Sequence, residues 1–249
     1  MVGLGETLLF SAVMGFSIFI SLPVVMREKT GNLANKLLLA VAIGILVFLM
    51  ADVWGDAAGI MFNGTLYGYG SSPFLDAVFT AALLIGFMGL HYSEHRSKMG
   101  LSPSQTSLVI ATGIGFQNLT EGLVFGALSV TFGLSGAALV VLVGFVLQNM
   151  TEGFPIASPF LGRTDKEGRE MVGLFALGGM PAVLGAAIGF FYSSGAFILL
   201  FDGLAIGAIL YAILPMLKSM FRDSDFATQR LTYAGIFLGF LVGFLVNLI

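Results

Sequence analysis

Two short stretches hold the residues in this chain best placed to do chemistry. One reads Gln117-Asn118-Leu119-Thr120-Glu121-Gly122, the other Gln148-Asn149-Met150-Thr151-Glu152-Gly153. Both lie inside long apolar runs, where polar side chains are costly and mark function. In a helix, residues three or four apart share a face, so each stretch turns a carboxylate and its amides to one side. Two such helices side by side would bring Gln117, Asn118 and Glu121 up to Gln148, Asn149 and Glu152. No Lys or Arg stands near either stretch. Carboxylate and amide oxygens without a competing cation suit a metal ion. Without a cation, adjacent carboxylates repel or share a proton. A single Asn or Gln within a membrane often serves only to pack helices. A repeated six-residue pattern, with a Glu in each copy, argues for a site.

The elements that must position these residues are membrane helices. The 249 residues are 57% hydrophobic and only 10% charged, with a mean hydropathy of +0.97. Soluble domains carry roughly a quarter charged residues. A bilayer core of about 30 Å needs about 20 apolar residues per helix. On that measure the sequence predicts an all-α, polytopic membrane protein of eight transmembrane helices, 1–249 forming a single transmembrane domain. The expected spans are 5–26, 35–58, 74–93, 105–130, 134–160, 171–192, 196–219 and 229–248. The stretch Met1 to Thr7 has no basic start, so 8–26 reads as a retained span rather than a signal peptide.

The basic residues test the count. Arg27, Lys29 and Lys36 fall between the first two spans, Arg96 and Lys98 between the third and fourth. Arg163, Lys166 and Arg169 fall between the fifth and sixth, Lys218, Arg222 and Arg230 between the seventh and eighth. These are all 11 Lys and Arg of the chain, and the other connections carry none. The positive-inside rule then places the basic loops in the cytoplasm and both termini outside. The localisation expected is the cell (plasma) membrane. The fourth span enters from the cytoplasmic side, and Gln117 to Glu121 lie about 18–24 Å along it at 1.5 Å per residue. The fifth enters from outside, and Gln148 to Glu152 lie about 20–25 Å along it. Both motifs therefore fall near mid-membrane, and interruptions at matching depths point to a transport site.

Small residues flank the motifs, among them Gly113, Gly115, Gly122, Gly126, Gly144 and Gly153, and would let helices approach closely. Pro155 removes the hydrogen bond that the Thr151 carbonyl would otherwise accept. Pro181 and Pro215 are expected to kink the sixth and seventh spans.

At the two motifs the sequence resembles the ZIP family of divalent-metal transporters, nearest its prokaryotic branch. That family shows His-Asn-x-Pro-Glu-Gly in its fourth span and a related Gln- or His-led motif in its fifth. The likeness continues from Pro155 to Pro159, through Met180-Pro181-Ala182-Val183-Leu184-Gly185-Ala186, and faintly at Leu210-Tyr211. The resemblance implies a ZIP-like bundle, a homodimer, and transport of a divalent metal such as Zn, Fe or Mn toward the cytoplasm by alternating access. It implies Gln117, Asn118, Glu121, Gln148, Asn149 and Glu152 as metal ligands, the metal being substrate, with no organic cofactor. This chain departs from the family at several points. Gln117 stands where the family has His, and Thr120 and Thr151 stand where it has Pro. The sixth span reads Gly178-Gly179-Met180 where some relatives carry a bridging acid, and the seventh lacks acids around Pro215. A two-metal site reads as reduced to one, and its oxygen donors favour hard or borderline ions. The alternative is a metal-binding membrane protein of the same fold, structural or sensing, that does not transport.

Other polar residues remain. Asp52 and Asp56 flank Trp54 near the outer end of the second span. They read either as an interfacial belt or as an outer ligand, Asp52 foremost, on the way in. Asp76 and Asp202 read as acids at helix starts. His91, Glu94 and His95 close the third span, as a solvated cluster or an exit-side metal site. The 12 methionines read as apolar filler. The absence of cysteine removes disulfides and thiolate ligands. No His-Glu-x-x-His occurs. Gly133-Leu134-Ser135-Gly136 resembles an intramembrane serine-protease loop but has no matching histidine. The sequence thus predicts no enzyme and no nucleic-acid partner, and leaves a metal ion and the lipid bilayer as the expected partners.

Overall fold

The apolar runs fold as helices because a backbone in lipid must satisfy its own hydrogen bonds. The computed structural model describes residues 2–26, 32–63, 72–97, 102–134, 137–161, 168–221 and 226–248. Among these residues there are ten α-helices and no strand: α1 (Leu4–Phe16), α2 (Leu22–Val25), α3 (Asn32–Ala58), α4 (Pro73–Ser97), α5 (Pro103–Phe132), α6 (Ala137–Ala157), α7 (Gly168–Gly179), α8 (Pro181–Phe191), α9 (Gly195–Phe221) and α10 (Phe226–Val246). Among the described residues, eight helical segments are long and apolar enough to cross a membrane, as expected of an integral membrane protein. The first joins α1 to α2 through a tight 3-10 turn, Ser17–Ser21. The sixth is α7 and α8, broken at Met180 where Pro181 opens the new helix, so the expected kink is a break. Pro155 and Pro215 lie within α6 and α9. Arg27, Lys29, Lys98, Arg163, Lys166 and Arg222 lie outside the described residues, as do Ser135 and Gly136.

Backbone contacts give the direction of each helix. On α5, Gly115 lies against Leu177, Gly122 against Ala182 and Ala186, and Gly126 against Ala186 and Phe190. The paired positions rise together, so α5 runs parallel to the α7–α8 span. The same reading makes α3 parallel to α10, with Gly239 against Val41 and Gly243 against Phe48. It also pairs α4 with α9, where Gly203 meets Phe79 and Gly207 meets Leu83 and Phe87. Opposed helices cross early against late. The Thr7 and Ser129 hydroxyls share a hydrogen bond of 3.0 Å between α1 and α5, and Phe116 stacks on Phe201 between α5 and α9. The ends of α3, α5 and α10 therefore share one face of the bundle with the starts of α6 and α9.

These close approaches depend on glycine. A Cβ on Gly122 would run into the Ala182 carbonyl and come within 2.8 Å of the Ala186 nitrogen. One on Gly153 would strike the Ser21 hydroxyl and lie 2.7 Å from the Phe175 ring. In lipid, helices associate by such packing and not by a hydrophobic drive. The glycine that ends each motif thus locks its helix against a neighbour: α8 for the first copy, the first span for the second.

Candidate functional site

α5 and α6 lie side by side, and each brings its motif to the middle of the bundle. All six motif amides and acids are buried. Gln117 Nε2 donates to Glu121 Oε1 at 2.6 Å, one turn along the same helix. Asn118 Nδ2 donates across to Glu152 Oε2 at 3.1 Å and to the Gly178 carbonyl at 3.0 Å. That carbonyl sits just before the break between α7 and α8. The sixth span, which has no acid here, therefore reaches the motif through its backbone. Asn149 Nδ2 donates to the Phe145 carbonyl of its own helix at 3.0 Å. Thr120 and Thr151, at the positions that precede the glutamates, each donate a hydroxyl to the carbonyl three residues back, at 2.6 and 2.8 Å.

The amide groups donate and leave their oxygens free. Gln117 Oε1, Asn118 Oδ1, Asn149 Oδ1, Glu121 Oε2 and Glu152 Oε1 are buried and have no hydrogen-bond partner among the described residues. All five are acceptors. Buried polar atoms are nearly always paired, so five unpaired acceptors on two adjacent motifs make a strongly electronegative centre.

A cavity of about 240 Å³ opens onto this centre from the face where α3, α5 and α10 end. Asp52, Asp56, Gln117, Glu121, Gln148 and Asp202 line it, and among the described residues no Lys or Arg does. Asn118, Asn149 and Glu152 are absent from its wall and lie behind it, fully buried. Asp52 is half-buried. It accepts from Asn247 at 2.6 Å and, at 3.5 Å, from Gln148. The structure thus places Asp52 beside the second motif. Among the described residues, no three of His, Cys, Asp or Glu are grouped to hold a metal by themselves. A cation here would need the amide oxygens.

Two residues depart from the sequence reading. Asp202 is not an acid at a helix start. It is the eighth residue of α9 (Gly195–Phe221), 3% exposed, and it lines the cavity. The signal was available: an acid flanked by Ile198-Leu199-Leu200-Phe201 and Leu204-Ala205-Ile206 lies within a span, not at its edge. Asn247, which the sequence reading passed over, also lines the cavity, and only the α3–α10 pairing makes it a neighbour of Asp52. Asp76, by contrast, does lie in the first turn of α4. His91 is exposed on α4, its ring 6.3 Å from that of Tyr211; the side chains of Glu94 and His95 lie outside the described residues.

Below the motifs the core of the bundle is apolar. On each of four helices the cavity residues give way to an apolar core and then to a second cavity. α3 passes from Asp52 through Leu46 and Ile43 to Lys36, and α5 from Gln117 through Ile114 and Ile110 to Thr106. α6 passes from Gln148 through Ile156 to Ser158 just beyond its end, and α9 from Asp202 through Ile209 to Pro215. The second cavity measures about 310 Å³.

No protein-family model matches the chain, and no curated protein is significantly similar to it.

Proposed function

We propose that this chain is a transporter of divalent metal cations, related in plan to the ZIP family, with the α5–α6 motifs as its binding centre. The observation that carries the reading is the set of five buried acceptor oxygens without a donor, at the base of a cavity without a basic residue. Glu121 and Glu152 supply the charge that offsets a divalent ion at mid-membrane. Gln117, Asn118 and Asn149 supply neutral oxygens, and Gln148 and Asp52 stand on the path to them. Oxygen donors of this kind take Mn, Fe or Zn.

The closed apolar layer between two cavities supports alternating access. A continuous pore would leak ions, whereas a layer that opens on one side at a time passes only the bound ion. The distribution of basic residues favours the motif-side cavity as external, which makes the direction inward and the membrane the cell membrane. The ZIP resemblance adds a homodimer. The layer also favours a second reading, a metal-binding protein that does not transport, because no acid breaks Leu46, Ile114, Ile156 and Ile209.

Vesicles containing the purified protein separate the two. Uptake of radiolabelled metal by the native protein, lost in Glu152→Ala while that variant still elutes as a folded species, supports transport through this site. Metal binding by calorimetry without flux favours the second reading. Undiminished uptake by Glu152→Ala overturns the site.

A further inference from the structure

We propose that Asp202 and Asp56 hold a second divalent cation, still partly hydrated, on the α3 and α9 side of the cavity, beside the first motif. Asp202 comes from α9 and Asp56 from α3. Neither helix carries a motif copy. Asp202 is 3% exposed, and its Oδ2 has no hydrogen-bond partner among the described residues. It faces a cavity with no cationic side chain. An acid in that setting is costly unless something offsets its charge. Asp56 lines the same cavity and is exposed to it. Asp52 is engaged by Asn247 and Gln148, which leaves Asp56 as the open partner.

The donors set the ligand class. Two carboxylates, with no third acid or histidine grouped among the described residues, cannot strip an ion of its water. Hard cations such as Mn2+ and Mg2+ are held in this way, by one or two carboxylates with several waters retained. The cavity, about 240 Å³, has room for an ion and its shell, since a water occupies about 30 Å³ of liquid. Asp202 lies about 10 Å into its helix at 1.5 Å per residue, next to Phe201, which stacks on Phe116 beside the first motif. An ion held there is concentrated beside the dry centre before it loses its water.

The site rests on the cavity and not on transport. Its test is Mn2+ binding to the native protein in lipid nanodiscs, followed by the loss of the free-ion paramagnetic resonance signal. Two classes of bound Mn2+ are expected, one weaker. Asp202→Asn, nearly isosteric, should remove the weaker class and spare the tighter. Asp56→Asn, at an exposed position with little bearing on folding, should do the same. Glu152→Gln should remove the tighter class and spare the weaker. If both aspartate variants keep both classes, Asp202 is a neutral structural acid and the proposal fails. If Asp202→Asn abolishes both together, there is one shared site and the proposal fails. If Glu152→Gln leaves both classes and metal uptake intact while Asp202→Asn loses one, the wall site stands and the motif site falls.

Discussion

In the first motif copy the glutamine turns inward to its own helix and the asparagine crosses to another. Gln117 donates to Glu121 one turn along, and Asn118 donates to Glu152 and to the Gly178 carbonyl. In the second copy the roles reverse. Asn149 bonds back to Phe145 of its own helix, and Gln148 reaches Asp52 on α3. The two copies share Gln, Asn, Thr, Glu and Gly at equal spacing, so the local sequence cannot decide which amide crosses. The neighbours do. α5 packs on a span broken at Met180, where the Gly178 carbonyl accepts a bond from a neighbouring helix. α6 packs on α3, where Asp52 offers a charged acceptor within reach of a longer side chain. The carboxylates differ accordingly: Glu121 faces the cavity and Glu152 lies sealed behind it. Under the transport reading Glu121 meets an incoming ion first and Glu152 completes its dehydration.

The comparison breaks most severely at the carboxylates. Glu121→Gln and Glu152→Gln should each cut metal uptake by more than the roughly 10–100-fold typical of an outer-shell partner, measured as initial rates in vesicles. The two should fail differently. Glu152→Gln keeps the cavity-facing Glu121 and should retain weak binding by calorimetry, whereas Glu121→Gln removes the first carboxylate an ion meets. Equal residual binding in the two variants would mean that the cavity-facing and sealed carboxylates are equivalent.

The glycines test whether the asymmetry depends on packing. Gly122→Ala should push α5 from α8, and Gly153→Ala should push α6 from the first span. Overpacking of this kind costs about 1–3 kcal/mol, read as a lower unfolding temperature in detergent. Gly144, which also lies on α6 and lines the cavity, has open space where a Cβ would go. Gly144→Ala should leave stability unchanged, and a loss there equal to that at Gly153 would remove the packing argument.

A smaller effect separates the two asparagines. Asn118→Ala strips a donor from Glu152 and from Gly178 at once, and an orphaned buried acceptor costs about 1–3 kcal/mol. Asn149→Ala removes only a bond within its own helix, worth about 0.5–1.5 kcal/mol. Thermal unfolding of both variants should rank Asn118→Ala as the less stable. The reverse order would mean that the crossing bond is not what ties α5 to α6.

Much of this arrangement was legible in the residues before any fold was known. The eight spans follow from apolar length, and the motif pair follows from acids and amides where lipid forbids them. The helix break at Pro181 follows from a missing N–H. What pattern alone could not supply is which spans touch. Asn247 and Asp52 are neighbours only because α10 runs parallel to α3 on close-packed glycines, a relation between positions 195 residues apart. Asp202 is expected at a helix start because its span opens only a few residues before it. The described helix begins at Gly195, and two turns carry the acid from the rim into the interior. The direction of each crossing amide was equally hidden, since it depends on the neighbouring acceptor and not on the helix that bears it.

The finest test of the asymmetry is a change of donor at the two leading glutamines. Gln117 lies on the cavity wall, its Nε2 2.6 Å from Glu121, so an imidazole there can share an ion with that carboxylate. Gln148 reaches instead toward Asp52, at 3.5 Å. Zinc is borderline-soft and gains more from an imidazole nitrogen than manganese does. Gln117→His should therefore raise the preference for zinc over manganese by up to about tenfold, equivalent to about 1.4 kcal/mol, in paired uptake of the two ions. Gln148→His should raise it less, because its nitrogen would sit nearer the mouth of the cavity than the paired glutamates. If both histidines shift selectivity alike, the two copies act as one symmetric ligand set. If the native protein already takes zinc strongly and Gln117→His changes nothing, Gln117 does not touch the ion, and the oxygen-donor account of the site fails at that residue.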